Sequence, residues 1–157
     1  DYTSLAYQLA IRRPAEWRAI LDTQRSRLTS ADRKEEFDFI SRACTPDVEE
    51  RRALFRSLLK KENRKVEPWA ASLLSLLNHP LRQQQALEYI LPGLNVLEEV
   101  QRTGDIFFAK DWVVALLAGH DSDEAKHIVE TFVETHPNYP PALRNKLLQA
   151  AYPLLNR

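Results

Sequence analysis

The stretch "EPWAASLLSLLNHP", from Glu67 to Pro80, decides the fold class. Between its ends, leucines stand at 73, 74, 76 and 77, and their spacing follows the 3.6-residue period of an α-helix. Pro68 occupies the first turn, where proline is well tolerated, and the triplet from Asn78 to Pro80 breaks the pattern. The stretch therefore predicts a short amphipathic helix with a defined start and end.

The same period governs nearly every other segment. No segment of strand length shows clean apolar–polar alternation between turn residues, so we predict an all-α protein of about nine or ten helices of 9–15 residues joined by short loops. Three boundaries are specific expectations. Thr45-Pro46 should be an N-cap followed by an N1 proline, Pro92-Gly93 a kink or break, and Asp111-Trp112 the start of a helix that ends at Gly119.

Three tryptophans mark a degenerate internal repeat in "PAEWRAIL", "EPWAASLL" and "AKDWVVALL". Trp17, Trp69 and Trp112 each lie near a predicted helix start, with aliphatic residues about four positions later. Helix pairs at roughly 40-residue spacing predict stacked antiparallel pairs in a HEAT- or armadillo-like right-handed superhelix. The alternative is an ordinary helical bundle.

The length, charge and cysteine content of the chain exclude several classes of protein. The 157 residues suggest one domain spanning 1–157. Lys+Arg and Asp+Glu are both 22, so no global field attracts nucleic acid or an anionic membrane, and we expect neither as a partner. No apolar run approaches the ~20 residues that cross a bilayer. The single cysteine, Cys44, excludes an intramolecular disulfide and a cysteine zinc cluster, and we interpret it as a buried, inert thiol.

The chain begins Asp1-Tyr2-Thr3-Ser4 and contains no methionine. The start has neither a basic n-region nor an apolar h-region, so no signal peptide is expected in it. An absent initiator methionine favours a piece of a longer protein. The compartment therefore stays open, cytoplasmic or exported, because an export signal would lie upstream.

Catalytic and metal-binding patterns are scarce. His79 and His136 each precede a proline at a helix end, where we expect them to bond the last carbonyls. His120, Asp123 and His127, in "GHDSDEAKH", give one metal-binding alternative, a small regulatory domain; an acidic helix cap explains the acids without a metal.

Other charged runs are interpreted as surface. The pairs Glu35-Glu36, Glu49-Glu50 and Glu98-Glu99 fall on charged helix faces, and the basic stretch "RSLLKKENRK", from Arg56 to Lys65, is typical of a solvated helix end rather than a phosphate contact. No nucleophile motif or Gly-rich phosphate loop occurs. We therefore assign no catalytic and no metal-ligating residue to this chain.

The motifs "EPW", "HPLR", "QRTGDIFF" and "YPPALRNKLLQAA", in this order, carry a resemblance over nearly the whole chain. They resemble the C-terminal α-helical domain of bacterial zinc aminopeptidases of the aminopeptidase N type, although relatives are expected to have proline where Ala109 stands. The resemblance implies a non-catalytic domain that packs on a catalytic domain of the same polypeptide and limits access of peptide substrates to its cleft. Zinc and its HExxH ligands are expected in that other domain, and no cofactor in this chain.

This resemblance suggests roles for two groups of residues. The turn at Gly104-Asp105 is followed by three large apolar residues, Ile106, Phe107 and Phe108, which either plug a gap between helix pairs or contact the catalytic domain. Four cations at helix ends or loops are candidates for contacting a peptide's terminal carboxylate, or else ordinary surface charges: Arg82, Arg102, Lys110 and Arg144. The alternative function is an independent helical-repeat scaffold that binds another protein. The residue preference of the parent enzyme and the oligomeric state stay open.

Overall fold

The computed structural model describes residues 1–157 and contains ten α-helices, four 3₁₀ turns and no strand, so the all-α prediction is confirmed. The α-helices are α1 (Tyr2–Arg12), α2 (Trp17–Arg27), α3 (Ala31–Ile40), α4 (Val48–Leu58), α5 (Glu67–Leu77), α6 (Gln83–Asn95), α7 (Leu97–Thr103), α8 (Phe108–Leu117), α9 (Asp123–Thr135) and α10 (Pro141–Leu155). The 3₁₀ turns are Pro14–Glu16, Ser41–Cys44, Lys61–Asn63 and Pro80–Arg82. None of the helices is both long and apolar enough to span a bilayer.

The helices pack in two rows. In one row α3 contacts α5, α5 contacts α8, and α8 contacts α10. In the other, α6 contacts α9, and α4 reaches α6 through side chains: Phe55 stacks on Tyr89 with ring centroids 4.5 Å apart, and Arg52 pairs with Glu88 at 2.7 Å. α1 packs on α2, and α7 on α8. This arrangement is compatible with stacked helix pairs, while the superhelix and its hand stay predictions.

A single cluster of 36 buried apolar residues runs from Tyr7 in α1 to Leu154 in α10. Trp112 of α8 lies at its centre, fully buried, and its indole N–H donates to the carbonyl oxygen of Gly93 at 3.0 Å. The close approach of α6 to α8 depends on Gly93, since a Cβ there would lie 2.7 Å from both terminal methyl groups of Leu116. The core therefore joins both rows of helices.

Two boundary predictions are wrong. Thr45 is not the N-cap of α4; Asp47 is, and its carboxylate accepts the backbone N–H groups of Glu49 (2.8 Å) and Glu50 (3.4 Å). The Thr45 hydroxyl instead accepts the N–H of Asp47 at 3.2 Å, because the chain makes one more turn before the helix begins. α8 begins at Phe108, three residues before Asp111, because Asp105 already forms the preceding turn.

Pro92 does not break α6, which continues to Asn95. A proline inside a helix removes one hydrogen bond and crowds the preceding turn. Here the surrounding contacts outweigh that cost, since the adjacent Gly93 and Leu94 are buried in the core. The break falls instead between α6 and α7, at Val96.

Candidate binding clefts and an exposed apolar turn

The turn between α7 and α8 is held on several sides. The backbone N–H of Asp105 donates to the Glu67 carboxylate of α5 at 3.2 Å, and the Asp105 side chain accepts the N–H of Phe107 at 2.8 Å. Lys146 of α10 reaches the carbonyl oxygen of Ile106 at 3.5 Å. The turn is therefore fixed against two other helices.

The three apolar residues of this turn have different environments. Phe108 is 4% exposed and packs edge-to-face on Trp112, with ring centroids 6.1 Å apart. Ile106 and Phe107 are 75% and 70% exposed. The plug interpretation therefore describes Phe108 alone, and the predicted interdomain contact stays a prediction for Ile106 and Phe107.

The four predicted cations do not share one environment. Arg82 is half-buried, and its guanidinium donates to the carbonyl oxygens of Ala43 (2.6 Å) and Cys44 (2.9 Å). Arg102 and Lys110 are exposed, Arg144 is half-buried, and the side chains of these three make no hydrogen bond or ion pair within the chain. Contact of any of the four with a peptide stays a prediction.

A second arginine, which the sequence analysis missed, lies near Arg82. Arg51 of α4 is 5% exposed; it donates from Nη1 to the carbonyl oxygen of Thr45 at 3.0 Å and from Nη2 to Gln85 Oε1 at 3.2 Å, and its Nε–H has no acceptor. Arg51, Phe55 and Leu58 share one face of α4 at i, i+4 and i+7. That spacing is the signal in the sequence that could have identified Arg51, since it places a guanidinium on the apolar face of the helix.

The two arginines line an open cleft of about 600 Å³. Its walls come from α4, the 3₁₀ turn before α6, the first turn of α6 and the connection between α8 and α9. The other lining residues are Pro80, Leu81, Gln83, Gln84, Gln85, Asp121 and Ser122. Burial, and secondarily the charge of Arg51, lowers the pKa of Arg82 to about 10, so the Arg82 guanidinium is charged at neutral pH. Burial also lowers the pKa of Arg51.

A separate groove of about 550 Å³ lies among α2, α3 and α4. Its lining mixes the half-buried apolar side chains of Trp17 and Leu54 with charged ones. Arg25 and Asp38 form a two-point ion pair across it at 2.7 and 2.9 Å, and the hydrogen bond from Arg25 lowers the pKa of the Asp38 carboxyl. This groove offers aromatic surface beside paired charges, as a peptide-binding surface would.

Two histidines have structural contacts. His136 bonds the carbonyl oxygen of Phe132 at 2.7 Å, as predicted for a helix end, and stacks on its ring with centroids 4.0 Å apart. His79 does not bond a helix-terminal carbonyl; its Nδ1 accepts the N–H of Leu81 at 3.0 Å and its Nε2 meets Gln8 Oε1 at 2.6 Å. His79 therefore caps the following 3₁₀ turn, because the ring faces forward to the residues after Pro80.

The structure does not bring together the three residues of the metal-binding alternative. His120 is buried and its Nε2 lies 2.8 Å from Asn78 Oδ1, whereas Asp123 pairs with Arg157 at 3.2 Å and His127 is exposed. No group of three or more His, Cys, Asp or Glu side chains is arranged to hold a metal ion.

Two earlier expectations concern buried groups. Cys44 is fully buried, so the predicted burial is confirmed, and burial raises the pKa of its thiol to about 12. That the thiol is inert stays a prediction. The solvated interpretation of the stretch from Arg56 to Lys65 is wrong for Arg64. Its side chain is 2% exposed, pairs with Glu99 at 2.9 Å and donates to the carbonyl oxygen of Leu58 at 2.9 Å, because the 3₁₀ turn after α4 directs it inward.

Comparisons of this chain with family models, curated proteins and solved structures found no match.

Proposed function

We propose that this chain is the non-catalytic α-helical domain of a zinc-dependent aminopeptidase, a hydrolase that releases N-terminal amino acids from peptides. In this proposal the chain packs on the catalytic domain of the same polypeptide and limits which peptides reach the active-site cleft. The peptide-bond chemistry and the zinc belong to that catalytic domain. The order of the motifs from "EPW" to "YPPALRNKLLQAA" supports the choice of family.

The observation that carries the docking role is the exposure of Ile106 and Phe107 at 75% and 70% on a turn fixed to α5 and α10. Large apolar side chains held in water on a rigid turn have already lost backbone freedom before any partner binds. Covering them with an apolar surface would therefore be favourable, by roughly 25 cal/mol per Å² of area removed from water. A catalytic domain that packs over the α7–α8 turn would supply such a surface.

The test is a docking measurement between this chain and the polypeptide encoded upstream in the same reading frame, which should contain HExxH with a downstream glutamate. We expect Ile106→Ser combined with Phe107→Ser to weaken docking by at least about tenfold, equivalent to about 1.4 kcal/mol, without changing the stability of the chain. Leu91→Ser, at a position 47% exposed on α6, is the matched control and should leave docking unchanged.

Phe108→Ser separates docking from folding. Phe108 is buried on Trp112, so its loss should destabilise the chain itself by about 3–5 kcal/mol. If the double variant docked as well as the parent chain, the α7–α8 turn would not be the interface. An upstream frame without HExxH would refute the aminopeptidase assignment altogether.

We further infer that the two rows of helices form a right-handed HEAT-like superhelix, and that Arg82, Arg102, Lys110 and Arg144 face the peptide in the whole enzyme. Such cations could pair with a peptide's terminal carboxylate. Replacing all four should raise KM for longer peptides more than for dipeptides. Unchanged kinetics on longer peptides would remove this part of the proposal.

The groove among α2, α3 and α4 supports a second candidate, an independent scaffold that binds another protein. Its lining of Trp17, Leu54 and paired charges suits a peptide segment with mixed side chains. Retention of a partner that is lost on Trp17→Ser, but kept on Ile106→Ser with Phe107→Ser, would favour the scaffold over the aminopeptidase domain.

A further inference from the structure

The cleft that Arg51 and Arg82 line contains two buried or half-buried cations without a carboxylate partner. Neither guanidinium has a carboxylate oxygen within 4.0 Å, although six other ion pairs exist in the chain. Their four acceptors are neutral: three backbone carbonyl oxygens and the amide oxygen of Gln85. A guanidinium carries five N–H donors, and each of these uses two.

The neighbouring carboxylates are engaged elsewhere. Glu49 and Glu88 both pair with Arg52, the residue after Arg51. Glu50 accepts the hydroxyl hydrogen of Thr45, and Asp47 caps α4. Asp121 is the one carboxylate that lines the cleft; it is exposed and makes no side-chain bond within the chain. The positive charge in this cleft is therefore only weakly balanced by the protein.

Three further features of the cleft favour an anion. The first turn of α6, at Gln83 to Gln85, forms one wall, and this 13-residue helix has no side-chain N-cap and no acidic residue in its first turn. The positive end of the helix dipole is therefore uncompensated at this wall. Gln83 accepts the N–H of Asp121 through its amide oxygen, which leaves its amide N–H donors without an acceptor. The buried Nε–H of Arg51 is also unpartnered.

We propose that the cleft between Arg51, Arg82 and the start of α6 is a binding site for a small oxyanion, a phosphate or carboxylate group with at least two acceptor oxygens. The planar fork of arginine matches such groups at two points. Two neighbouring cations that are buried without a counter-ion cost desolvation free energy. A bound anion would offset that cost. Arg82 is also one of the four cations proposed above to face a peptide, but the oxyanion site is argued from the contacts of this cleft and does not require the aminopeptidase role.

The probes are inorganic phosphate and a pair of N-acetylated tripeptides, one with a free C-terminal carboxylate and one amidated. Each is titrated into the 157-residue chain by calorimetry at low ionic strength, where charge interactions are least screened. We expect a dissociation constant of about 1 mM or lower for phosphate, for the free carboxylate, or for both, and none for the amide. Phosphate alone would identify a phosphate-type ligand, and the carboxylate alone a carboxylate-type ligand.

Gln84→Glu tests the location without touching the fold, because Gln84 is exposed, lines the cleft and makes no side-chain hydrogen bond. We expect this added negative charge to weaken binding at least about tenfold. Gln149→Glu, at an exposed position on α10, is the matched control for net charge and should bind like the parent chain. Asp121→Asn should tighten binding because it removes the one carboxylate in the lining.

Three results would overturn the proposal. These are absence of binding by all probes, equal binding by Gln84→Glu and the parent chain, and equal weakening by Gln84→Glu and Gln149→Glu. Circular dichroism on each variant establishes that the helical fold is retained, so that a loss of binding is assigned to the cleft.

Discussion

Gly119 shows how one residue without a side chain fixes the connection between α8 and α9. A Cβ at this position would overlap the carbonyl oxygen of Asn78 and lie 3.0 Å from its carbonyl carbon. The requirement is for space, because no glycine in the chain has a positive φ. We expect Gly119→Ala to lower the free energy of unfolding by about 3 kcal/mol, as measured by urea denaturation.

The control for Gly119 is the exposed neighbour Ala118. Ala118→Ser should change the free energy of unfolding by no more than about 0.5 kcal/mol, as surface substitutions usually do. If Gly119→Ala lowered the free energy of unfolding as little as Ala118→Ser, the distance between Asn78 and Gly119 would be longer than in the structure.

His120, in the same connection between α8 and α9, makes the stability of the fold depend on pH. Asn78 donates its amide N–H to the carbonyl oxygen of Leu74 at 3.0 Å, so its Oδ1 accepts, and His120 Nε2 must carry the hydrogen. His120 Nδ1 is then a buried lone pair without a partner. Burial lowers the pKa of His120 to about 4, against the smaller opposing effect of Asp121.

The pH dependence of stability follows from the number of protons that the folded and unfolded states bind. Between the unfolded pKa of about 6.5 and the folded pKa of about 4, the unfolded chain binds the proton and the folded chain does not. Stability from neutral His120 is therefore fully present above pH ~6.5 and is lost as the pH falls toward 4. We expect the loss to be a few kcal/mol, measured by urea denaturation across this range, and His120→Gln to flatten the slope.

Two other histidines complete the pH experiment. His127→Gln changes an exposed ring and should leave the slope as it is. Burial also lowers the pKa of His79, so some slope should persist in the His120 variant. A His120→Gln slope identical to that of the parent chain would assign the acid sensitivity to other groups.

At the scale of single elements, the start of α4 gives the clearest prediction. Asp47 accepts two backbone N–H groups at the helix end, which a methyl group cannot do. We expect Asp47→Ala to lower the free energy of unfolding by about 1 kcal/mol and Asp47→Asn, which keeps a capping oxygen, to restore most of it. Thermal or urea unfolding measures both. Equal losses for the two variants would show that charge, and not capping, is the contribution of Asp47.

Helix identity was predictable because it depends on neighbours in sequence. Ser30 and Ser122, residue types that favour helix N-caps, accept the N–H groups of Arg33 (3.0 Å) and Ala125 (3.1 Å) at the starts of α3 and α9. At Pro92-Gly93 the expectation was a kink or a break, and the break does not occur because packing against α8 outweighs the local rule.

The arginine cleft was beyond such local reasoning. Arg51 and Gln85 are 34 positions apart, and Arg82 reaches carbonyl oxygens 38 and 39 positions away. Only the packing of α4 and the Ser41–Cys44 turn near the start of α6 brings these groups together. Sequence reasoning singled out Arg82 for its charge and place at a helix end, but it could not find the neighbour that makes the site.

At the scale of the whole molecule, the two rows of helices share one core. In a long stack of repeats, each unit contacts only its neighbours, and distant ends can unfold separately. Here the buried cluster is continuous from Tyr7 to Leu154, and α8 contacts α5, α6, α7 and α10. α5 in turn contacts α3 and α4, so contacts through α5 and α8 link the N-terminal and C-terminal helices. We therefore expect cooperative unfolding in a single transition.

Two core variants at opposite ends test this coupling. Phe37→Ala in α3 and Leu147→Ala in α10 should each lower the free energy of unfolding by about 2–5 kcal/mol, since both side chains are buried to 3% exposure or less. Because one core is shared, each should shift the whole transition followed by circular dichroism and by tryptophan fluorescence, with equal calorimetric and van't Hoff enthalpies. If Leu147→Ala produced a separate early transition while the remainder unfolded as in the parent chain, α9 and α10 would form a unit of their own, and residues 1–157 would not be one domain.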